Sequence, residues 1–189
     1  MSEVLKAIKE RRSVRVFGDG AVAAEELDAI LEAASYAPSA MNAQACHVTA
    51  LVGLPRISEL NDALKLASAL PGFDRYRDYV GQKSYSVNFF RAPLFLIVGV
   101  DKIRSFCPVE DGSMVMANIL LAAHGLGLGA VWVNQLGAVG NEPTFRKVLT
   151  SFGFPPTHDI IGSAAVGRLG GPNPPAPPRM PGQSNIVTA

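Results

Sequence analysis

The chain has 189 residues, of which 48% are hydrophobic and 17% charged, and its formal net charge is +1. This length suits one domain with a buried core and is short for two, so we expect residues 1–189 to form a single domain. A charge this small creates no overall field for nucleic acid or an acidic membrane surface, so neither kind of partner is expected.

Hydrophobic periodicity predicts that helices and strands alternate along the chain. In chain order we predict helices over 3–12 and 23–37, a strand over 46–53, a helix over 56–69, a strand over 92–101, a helix over 110–125, a strand over 129–136, a helix over 142–153 and a strand over 159–168. From Gly170 a proline-rich tail is expected to run extended over the surface or over a neighbouring molecule. The order indicates one α+β domain with a central sheet and a buried helix against it.

Three of these predictions make particular demands on packing. In the first helix, Val4, Leu5 and Ile8 lie on one apolar stripe. The strand APLFLIVGVD is apolar without interruption, which is typical of a strand buried on both faces. The segment from Met114 to Val133 is long enough to cross a membrane, but polar residues and glycines interrupt it, so we expect a buried helix followed by a buried strand and no membrane span.

Cysteine and histidine usage argues against two further classes of protein. Cys46 and Cys107 form neither a disulfide framework nor a metal-binding pair, and the three histidines are scattered, so no metal site is expected. Cys46 and His47 are neighbours on a predicted strand and would point to opposite faces, which argues against a cysteine nucleophile. The N-terminal residues lack the apolar segment of a signal peptide, so a cytoplasmic protein is expected.

The stretch ERRSVRVF, from Glu10 to Phe17, combines three arginines and a serine at the predicted end of the first helix. If the chain is extended there, Arg11, Ser13 and Arg15 lie on one side and form a phosphate clamp, because guanidinium groups match phosphate oxygens in a bidentate manner. The alternative is a helix C-terminus whose cations satisfy the dipole and the last carbonyl groups. Both interpretations stay open on this stretch alone.

Two later stretches offer amide groups near the predicted sheet. In APSAMNAQA, from Ala37 to Ala45, hydroxyl and amide side chains follow the end of a helix, which suits the polar edge of a flavin or a pyrimidine and equally suits an ordinary turn. In WVNQLG a buried strand ends in Asn134 and Gln135, where ligands of sheet proteins commonly bind, although solvent exposure explains the pair as well. Trp132 is expected in the core.

The glycine run GLGLGA does not indicate a dinucleotide site. That fingerprint requires a strand before the glycines and a helix after them. Here a helix precedes and a strand follows, so the context is reversed.

Taken together and in this order, these stretches resemble the nitroreductase family of FMN-dependent oxidoreductases. The similar segments cover nearly the whole chain: ERRSVRVF, EELDAILEAASYAPSAMNAQ, FRAPLFLIVG, NILLAAHGLGLGAVWVNQLG and the late VGR with PPR. The resemblance implies an α+β fold in which helices surround a central mixed sheet. It also implies a homodimer that holds FMN at the subunit interface, with the C-terminal tail crossing to the partner.

Carried over by position, the resemblance implies three groups of cofactor-binding residues. The phosphate and ribityl chain would be bound by Arg11, Arg12, Ser13 and Arg15, and by Arg179, with Arg168 as a weaker candidate. The isoalloxazine would be lined by Pro38, Ser39 and Ala40, by Asn42 and Gln44 acting across the interface, and by Asn88. The strand end that faces the flavin would be Val133, Asn134, Gln135 and Leu136, with a backbone N–H donating to flavin N5.

The resemblance implies ping-pong chemistry in which NADH or NADPH passes hydride to FMN and a nitroaromatic, quinone or similar electrophilic acceptor is then reduced. No side chain is implied as a catalytic acid or base, because the cofactor carries the chemistry. Two alternatives stay open, an FMN carrier or sensor without turnover and a specialised flavin enzyme such as a dehalogenase or dehydrogenase. The chain departs from the family where Ala45 and Cys46 replace Pro and Trp and where Pro177 replaces a lysine of larger relatives.

Overall fold

The structure is a computed structural model that describes residues 2–73 and 89–188. Its helices and strands, in chain order, are α1 Glu3–Glu10, α2 Ala24–Ser35, β1 Cys46–Val52, α3 Leu54–Ser68, β2 Leu94–Asp101, α4 Pro108–Gly125, β3 Gly129–Val133, α5 Gln135–Val139, α6 Pro143–Ser151 and β4 His158–Gly167. Short 3-10 turns occur at Ala40–Asn42 and Phe89–Arg91. The predicted alternation of helices and strands is confirmed.

The four strands form one sheet in the order β1-β2-β4-β3, and each neighbouring pair is antiparallel. Parallel pairing enters through an isolated bridge between Ser13 and Ala130, which adds the segment after α1 to the outer side of β3. The α+β class is confirmed. The mixed character expected of the sheet is limited, among the described residues, to that bridge.

Strand β2 is the centre of the core, as its uninterrupted apolar sequence predicted. Leu94, Leu96 and Val98 pack with residues of α2 and α4 on one face of the sheet. Phe95 and Ile97 pack with residues of α3, α5 and α6 on the other face. Alternate side chains point to opposite faces of a strand, so a strand covered by helices on both faces needs apolar residues at every position.

The glycine run after α4 ends a helix, as its reversed context indicated. The Gly127 N–H donates to the His124 carbonyl oxygen at 3.0 Å and the Leu128 N–H to that of Ala123 at 2.9 Å, with Gly127 at φ +74°. This is the left-handed turn that glycine adopts at helix C-termini. A Cβ on Gly129 would lie 2.7 Å from Val14, so glycine there lets the segment after α1 approach β3.

Two regions differ from the sequence prediction. The strand predicted over 129–136 ends at Val133, because the chain turns there and enters α5. The helix predicted over 3–12 ends at Glu10, and its apolar stripe is exposed, with 68% of Val4, 51% of Leu5 and 53% of Ile8 accessible.

The tail from Gly170 onward is exposed at every described residue, as expected of an extended segment without a core of its own. Among the described helices, none combines the length and the apolar character that a membrane span requires.

Candidate functional site

The segment after α1 is extended and alternates as the sequence predicted. Ser13 and Arg15 are exposed, while Val14 between them is 6% exposed and packs against Gly129. The Val14 N–H donates to the Ala130 carbonyl oxygen at 3.0 Å, which fixes the segment against β3. Two polar side chains therefore stand on the outer side of the sheet edge.

The contacts of Arg12 agree with the alternative interpretation, in which a cation binds the last carbonyl groups of a helix. Its guanidinium donates to the carbonyl oxygens of Arg11 and, at 2.6 Å, of Lys9, which are acceptors that the end of α1 leaves without a helical partner. Its Nε is buried and has no hydrogen-bond partner among the described residues. Arg12 thus stabilises the helix end and still presents one unsatisfied donor.

Arg11 lies in a cluster of positive charge. Burial, together with the positive charges of Arg12 and Arg179, lowers the pKa of Arg11 from its ordinary value. Within the described residues neither Arg11 nor Arg179 has a carboxylate partner. The approach of cations to one another without a counter-charge is unfavourable in the protein alone, and it suits an anionic ligand.

A small cleft of about 110 Å³ adjoins this cluster, and we call it the arginine cleft. Arg11, Arg12 and Asn173 line it on one side, and Leu120 and His124 of α4 on the other. The Asn173 side-chain amide donates to the Glu10 carbonyl oxygen at 2.9 Å, which holds the start of the tail against the end of α1. The tail therefore reaches the arginine cleft within one chain.

Arg168, the weaker candidate for the phosphate, is engaged elsewhere. Its guanidinium donates to both carboxylate oxygens of Glu26 at 2.7 Å. The hydrogen bond from Arg168 is the largest cause that lowers the pKa of Glu26. Since the bidentate pair uses the fork of the guanidinium, Arg168 serves the contact between β4 and α2.

The loop from Pro38 to Gln44, which we call the tethered loop, carries the second group of predicted residues. Ser39 Oγ accepts a hydrogen bond from the Gln44 N–H at 3.1 Å, and the Gln44 side-chain amide donates to Asn42 Oδ1 at 3.1 Å. Ala40 is partly buried, and Pro38 is exposed. The amides thus bind each other and keep one carbonyl oxygen and one amino group for other partners.

A cleft of about 350 Å³ runs beside the tethered loop. Pro38, Ser39 and Gln44 line it together with α2, β1 and Val115 of α4. Cys46 lies in its wall, and burial, with a smaller effect of the Asp111 carboxylate, raises the pKa of its thiol to about 11. That thiol is neutral at physiological pH, in agreement with the expectation that it is no nucleophile.

The end of β3 offers backbone groups and one exposed side chain. Leu136 is fully buried in the core, and Val133 and Gln135 are 4% and 7% exposed. Asn134 alone of the four predicted residues has an exposed side chain. The chain offers backbone groups and Asn134 here, because the neighbouring side chains are needed to pack α5 against the sheet. Asn88 lies outside the described residues.

The arginine cleft and the tethered loop lie on opposite sides of one chain. The cleft adjoins β3 and the C-terminal end of α4, while the loop precedes β1 and contacts the first turn of α4. Strands β1 and β3 are the two edges of the sheet, roughly 14 Å apart at about 4.8 Å per strand spacing. One chain therefore brings the arginines together with β3, and places the loop elsewhere.

Three residues near these groups were not found by sequence reasoning. Asn173 and His124 line the arginine cleft, and the Asp111 carboxylate accepts a hydrogen bond from the Ala40 N–H at 2.8 Å. Asp111 in the first turn of a helix indicates only a favourable charge at the helix N-terminus, and Asn173 falls in a proline-rich tail. Neither pattern carries a signal of its contact.

Comparison with known proteins agrees with this architecture. The family model described as the nitroreductase family matches residues 8–168. A nitroreductase of Bacteroides fragilis, solved with bound FMN, is 34% identical, and the match covers 100% of both chains with a TM-score of 0.91. The chain belongs to the nitroreductase family.

Two curated relatives carry names with a redox activity. A protein of Archaeoglobus fulgidus, provisionally named NADH dehydrogenase/NAD(P)H nitroreductase, is 30% identical over 88% of this chain and 86% of its own length. The FMN reductase [NAD(P)H] of Bacillus subtilis is 28% identical over 87% of this chain and 67% of its own length.

Proposed function

We propose that this chain is an FMN-dependent NAD(P)H oxidoreductase that reduces nitroaromatic, quinone or similar electrophilic acceptors in a ping-pong cycle. The observation that carries the proposal is the arginine cluster: the partly buried Arg11 and Arg12 and the exposed Arg179 repel one another beside a cleft. The Bacteroides fragilis relative of this chain was solved with FMN. A phosphate dianion is the ligand that removes this repulsion.

The residues present fit the phosphate end of FMN. Arg11 and Arg12 line the cleft, and Arg179 lies close enough to Arg11 to lower the pKa of its guanidinium. Ser13 and Arg15 extend the polar surface along the outer side of β3. Guanidinium donors aimed at one place bind phosphate oxygens with both charge and geometry. The replacement of a lysine by Pro177 leaves this set intact.

The flavin ring is assigned to the end of β3 and to the tethered loop. Backbone N–H groups near Asn134 are the donors available there, since the side chains of Val133, Gln135 and Leu136 are buried. Pro38, Ser39 and Ala40, with Asn42 and Gln44, supply a wall with small side chains and amide groups. Small residues leave room for a planar ring, and amides match its donors and acceptors.

We propose a homodimer, with 1–189 as a single domain in each subunit, in which the tethered loop reaches the arginine cleft of the second copy. Within one chain the loop and the cleft lie near opposite edges of the sheet. The exposed stripe of α1, the open edge of β1 and the exposed tail from Gly170 supply surface for a partner. The part of the tail beyond Arg179 is assigned to the partner's surface, since Asn173 and Arg179 lie near the end of α1 in their own chain.

FMN, when bound, supplies the hydride chemistry between NAD(P)H and the acceptor. The chain binds the phosphate, orients the ring and excludes water from one of its faces. Proton transfer is left to solvent, because none of the residues at the end of β3, from Val133 to Leu136, has an ionisable side chain. The positive charge of the arginine cleft also favours a nucleotide donor near the site.

The visible spectrum of the purified chain, before and after anaerobic addition of NADPH or NADH, tests this function. We expect a flavin spectrum that bleaches with either donor and returns when a quinone or nitroaromatic compound is added. A yellow protein that neither donor bleaches would indicate the carrier or sensor alternative. A protein that stays colourless when FMN is supplied would refute the proposal.

A further inference from the structure

The tethered loop is held in an unfavourable backbone conformation. Met41, Asn42 and Gln44 have φ values of 54°, 53° and 46°, although none of them is glycine. Residues with a side chain rarely adopt this left-handed region, and such strain persists only when surrounding contacts impose it. Met41 is 86% exposed, so its own packing does not hold the loop.

The contacts that impose this conformation come from the end of β2, the turn that follows it and the first turn of α4. The Ala40 N–H donates to Asp111 Oδ1 at 2.8 Å, immediately before the left-handed residues. The Arg104 guanidinium donates to the Ala43 carbonyl oxygen at 3.2 Å, and the Asp101 N–H donates to that of Ala45 at 3.0 Å. Asp111 alone is the buried anchor of the three, with 3% of its surface exposed.

The position of Asp111 is itself rigid. Its second oxygen, Oδ2, accepts a 2.6 Å hydrogen bond from the Ser105 hydroxyl, which in turn accepts from the Cys107 N–H at 3.1 Å. A Cβ on the next residue, Gly112, would lie 2.6 Å from Ile161, so the first turn of α4 is packed directly onto β4. A buried carboxylate with both oxygens bonded is a fixed point to which the loop is attached.

We propose that Asp111 is a positioning residue that fixes the tethered loop for the flavin. This inference rests on the proposed function, in which the loop packs against FMN bound in the cleft of the partner. Asp111 does not touch the cofactor: it binds the backbone of Ala40, and Ala40 is one of the residues assigned to the ring. Loss of the carboxylate leaves the Ala40 N–H without its partner and allows the left-handed turn to relax.

Two substitutions at Asp111 and one at Ser105 test this role. Asp111→Ala removes both hydrogen bonds, whereas Asp111→Asn keeps an oxygen that accepts from the Ala40 N–H. Ser105→Ala is the matched control, because it removes the other hydrogen bond of the same carboxylate and leaves the loop contact. If Asp111→Ala does not fold, Asp111→Ser replaces it, because its hydroxyl is polar yet too short to reach Ala40.

Two readouts separate anchoring of the loop from its effect on the flavin. Hydrogen exchange of the 39–45 amides follows the loop with or without cofactor, and fluorescence titration gives the Kd for FMN. For Asp111→Ala we expect loop exchange at least about ten-fold faster and FMN binding about ten-fold weaker. Asp111→Asn and Ser105→Ala should remain within about three-fold of the unsubstituted chain in both.

The combination of exchange rates and FMN affinities distinguishes four outcomes. Faster exchange with unchanged FMN binding in Asp111→Ala would show an anchor that does not position the flavin, and would overturn the proposal. Unchanged exchange would overturn the anchor itself. Equal losses in Ser105→Ala would assign the effect to general destabilisation and also contradict it. If the unsubstituted chain binds no FMN, the proposed function fails first, and the exchange data still report whether Asp111 holds the loop.

Discussion

The arginine cleft and the tethered loop are built in opposite ways. In the cleft, cations approach one another without a carboxylate partner among the described residues, and the Arg12 Nε is buried and unsatisfied. In the loop, the acceptors Asp111 and Ser39 and the donor Arg104 form hydrogen bonds that hold three left-handed residues in place. The cleft lacks a counter-charge that an anionic ligand would supply, whereas the contacts of the loop all come from the protein itself.

This difference indicates how the two regions divide the binding of a flavin. A bound anion would remove the repulsion between the cations of the cleft, so the cleft is expected to contribute most of the binding free energy. The loop is already held in one conformation and loses little conformational entropy on binding, so it is expected to orient the ligand.

The double substitution Arg11→Ala with Arg15→Ala should have the largest effect. Removing two charge-assisted donors is expected to weaken FMN binding by at least roughly 100-fold, because each such bond contributes strongly to phosphate recognition. The flavin-to-protein ratio after gel filtration and a fluorescence titration measure it. Arg56→Ala with Lys65→Ala, which removes two cations from exposed ion pairs on α3, is the control. Full flavin occupancy in the Arg11 and Arg15 variant would end the phosphate assignment.

Arg179→Ala should have an intermediate effect of about ten-fold on the Kd for FMN, since one cation near Arg11 is lost. The measurement is the same titration, repeated at two salt concentrations. The variant should show a weaker salt dependence than the unsubstituted chain, because fewer charges bind the phosphate. An unchanged Kd would place Arg179 outside the site and leave the tail without a role in binding.

Arg168→Ala should have the smallest effect on the flavin and a distinct effect on stability. FMN binding is expected to stay within about two-fold, because Arg168 is paired with Glu26. Thermal unfolding at neutral pH should occur about 2 °C lower. Arg56→Ala serves as the comparison for loss of an exposed ion pair. A large loss of FMN would return Arg168 to the phosphate site.

The same pair predicts a pH dependence with a definite sign. In the folded chain the pKa of Glu26 is lowered from 4.5, so its ionised form is stabilised relative to the unfolded chain. Its contribution is present above pH 4.5 and is lost as the pH falls through the lowered pKa. The difference in Tm between Arg168→Ala and the unsubstituted chain should therefore shrink in acid. A difference that grows in acid would contradict the assignment.

Much of the fold could be predicted because it depends on local pattern. The apolar run of β2 and the glycines after α4 determine their structures within a few residues. The end of β3 could not be predicted in this way. Asn134, Gln135 and Leu136 continue an apolar strand in sequence, but Leu136 fills the core from a helix, which only the packing of α5 against the sheet decides.

For the candidate site, the sequence indicates candidate residues but not the contacts between them. ERRSVRVF and APSAMNAQA identify polar groups, and the sequence leaves open whether each cation binds a ligand or a helix end. The structure shows that Arg12 binds carbonyl groups of α1, while Arg11 lies near Arg179 from the far end of the chain. The contact between Asp111 and Ala40 likewise joins segments that are distant in sequence, so no local pattern reveals it.

We propose that two copies of the chain bind FMN together, and that one copy contributes the arginine cleft and the other the tethered loop. Sedimentation velocity with detection at 280 nm and at the flavin absorption band tests it in one experiment. We expect the flavin signal to sediment as a single species with twice the mass of the chain and one FMN per chain. Flavin that sediments with a monomer, or a dimer that carries none when FMN is supplied, would contradict the claim.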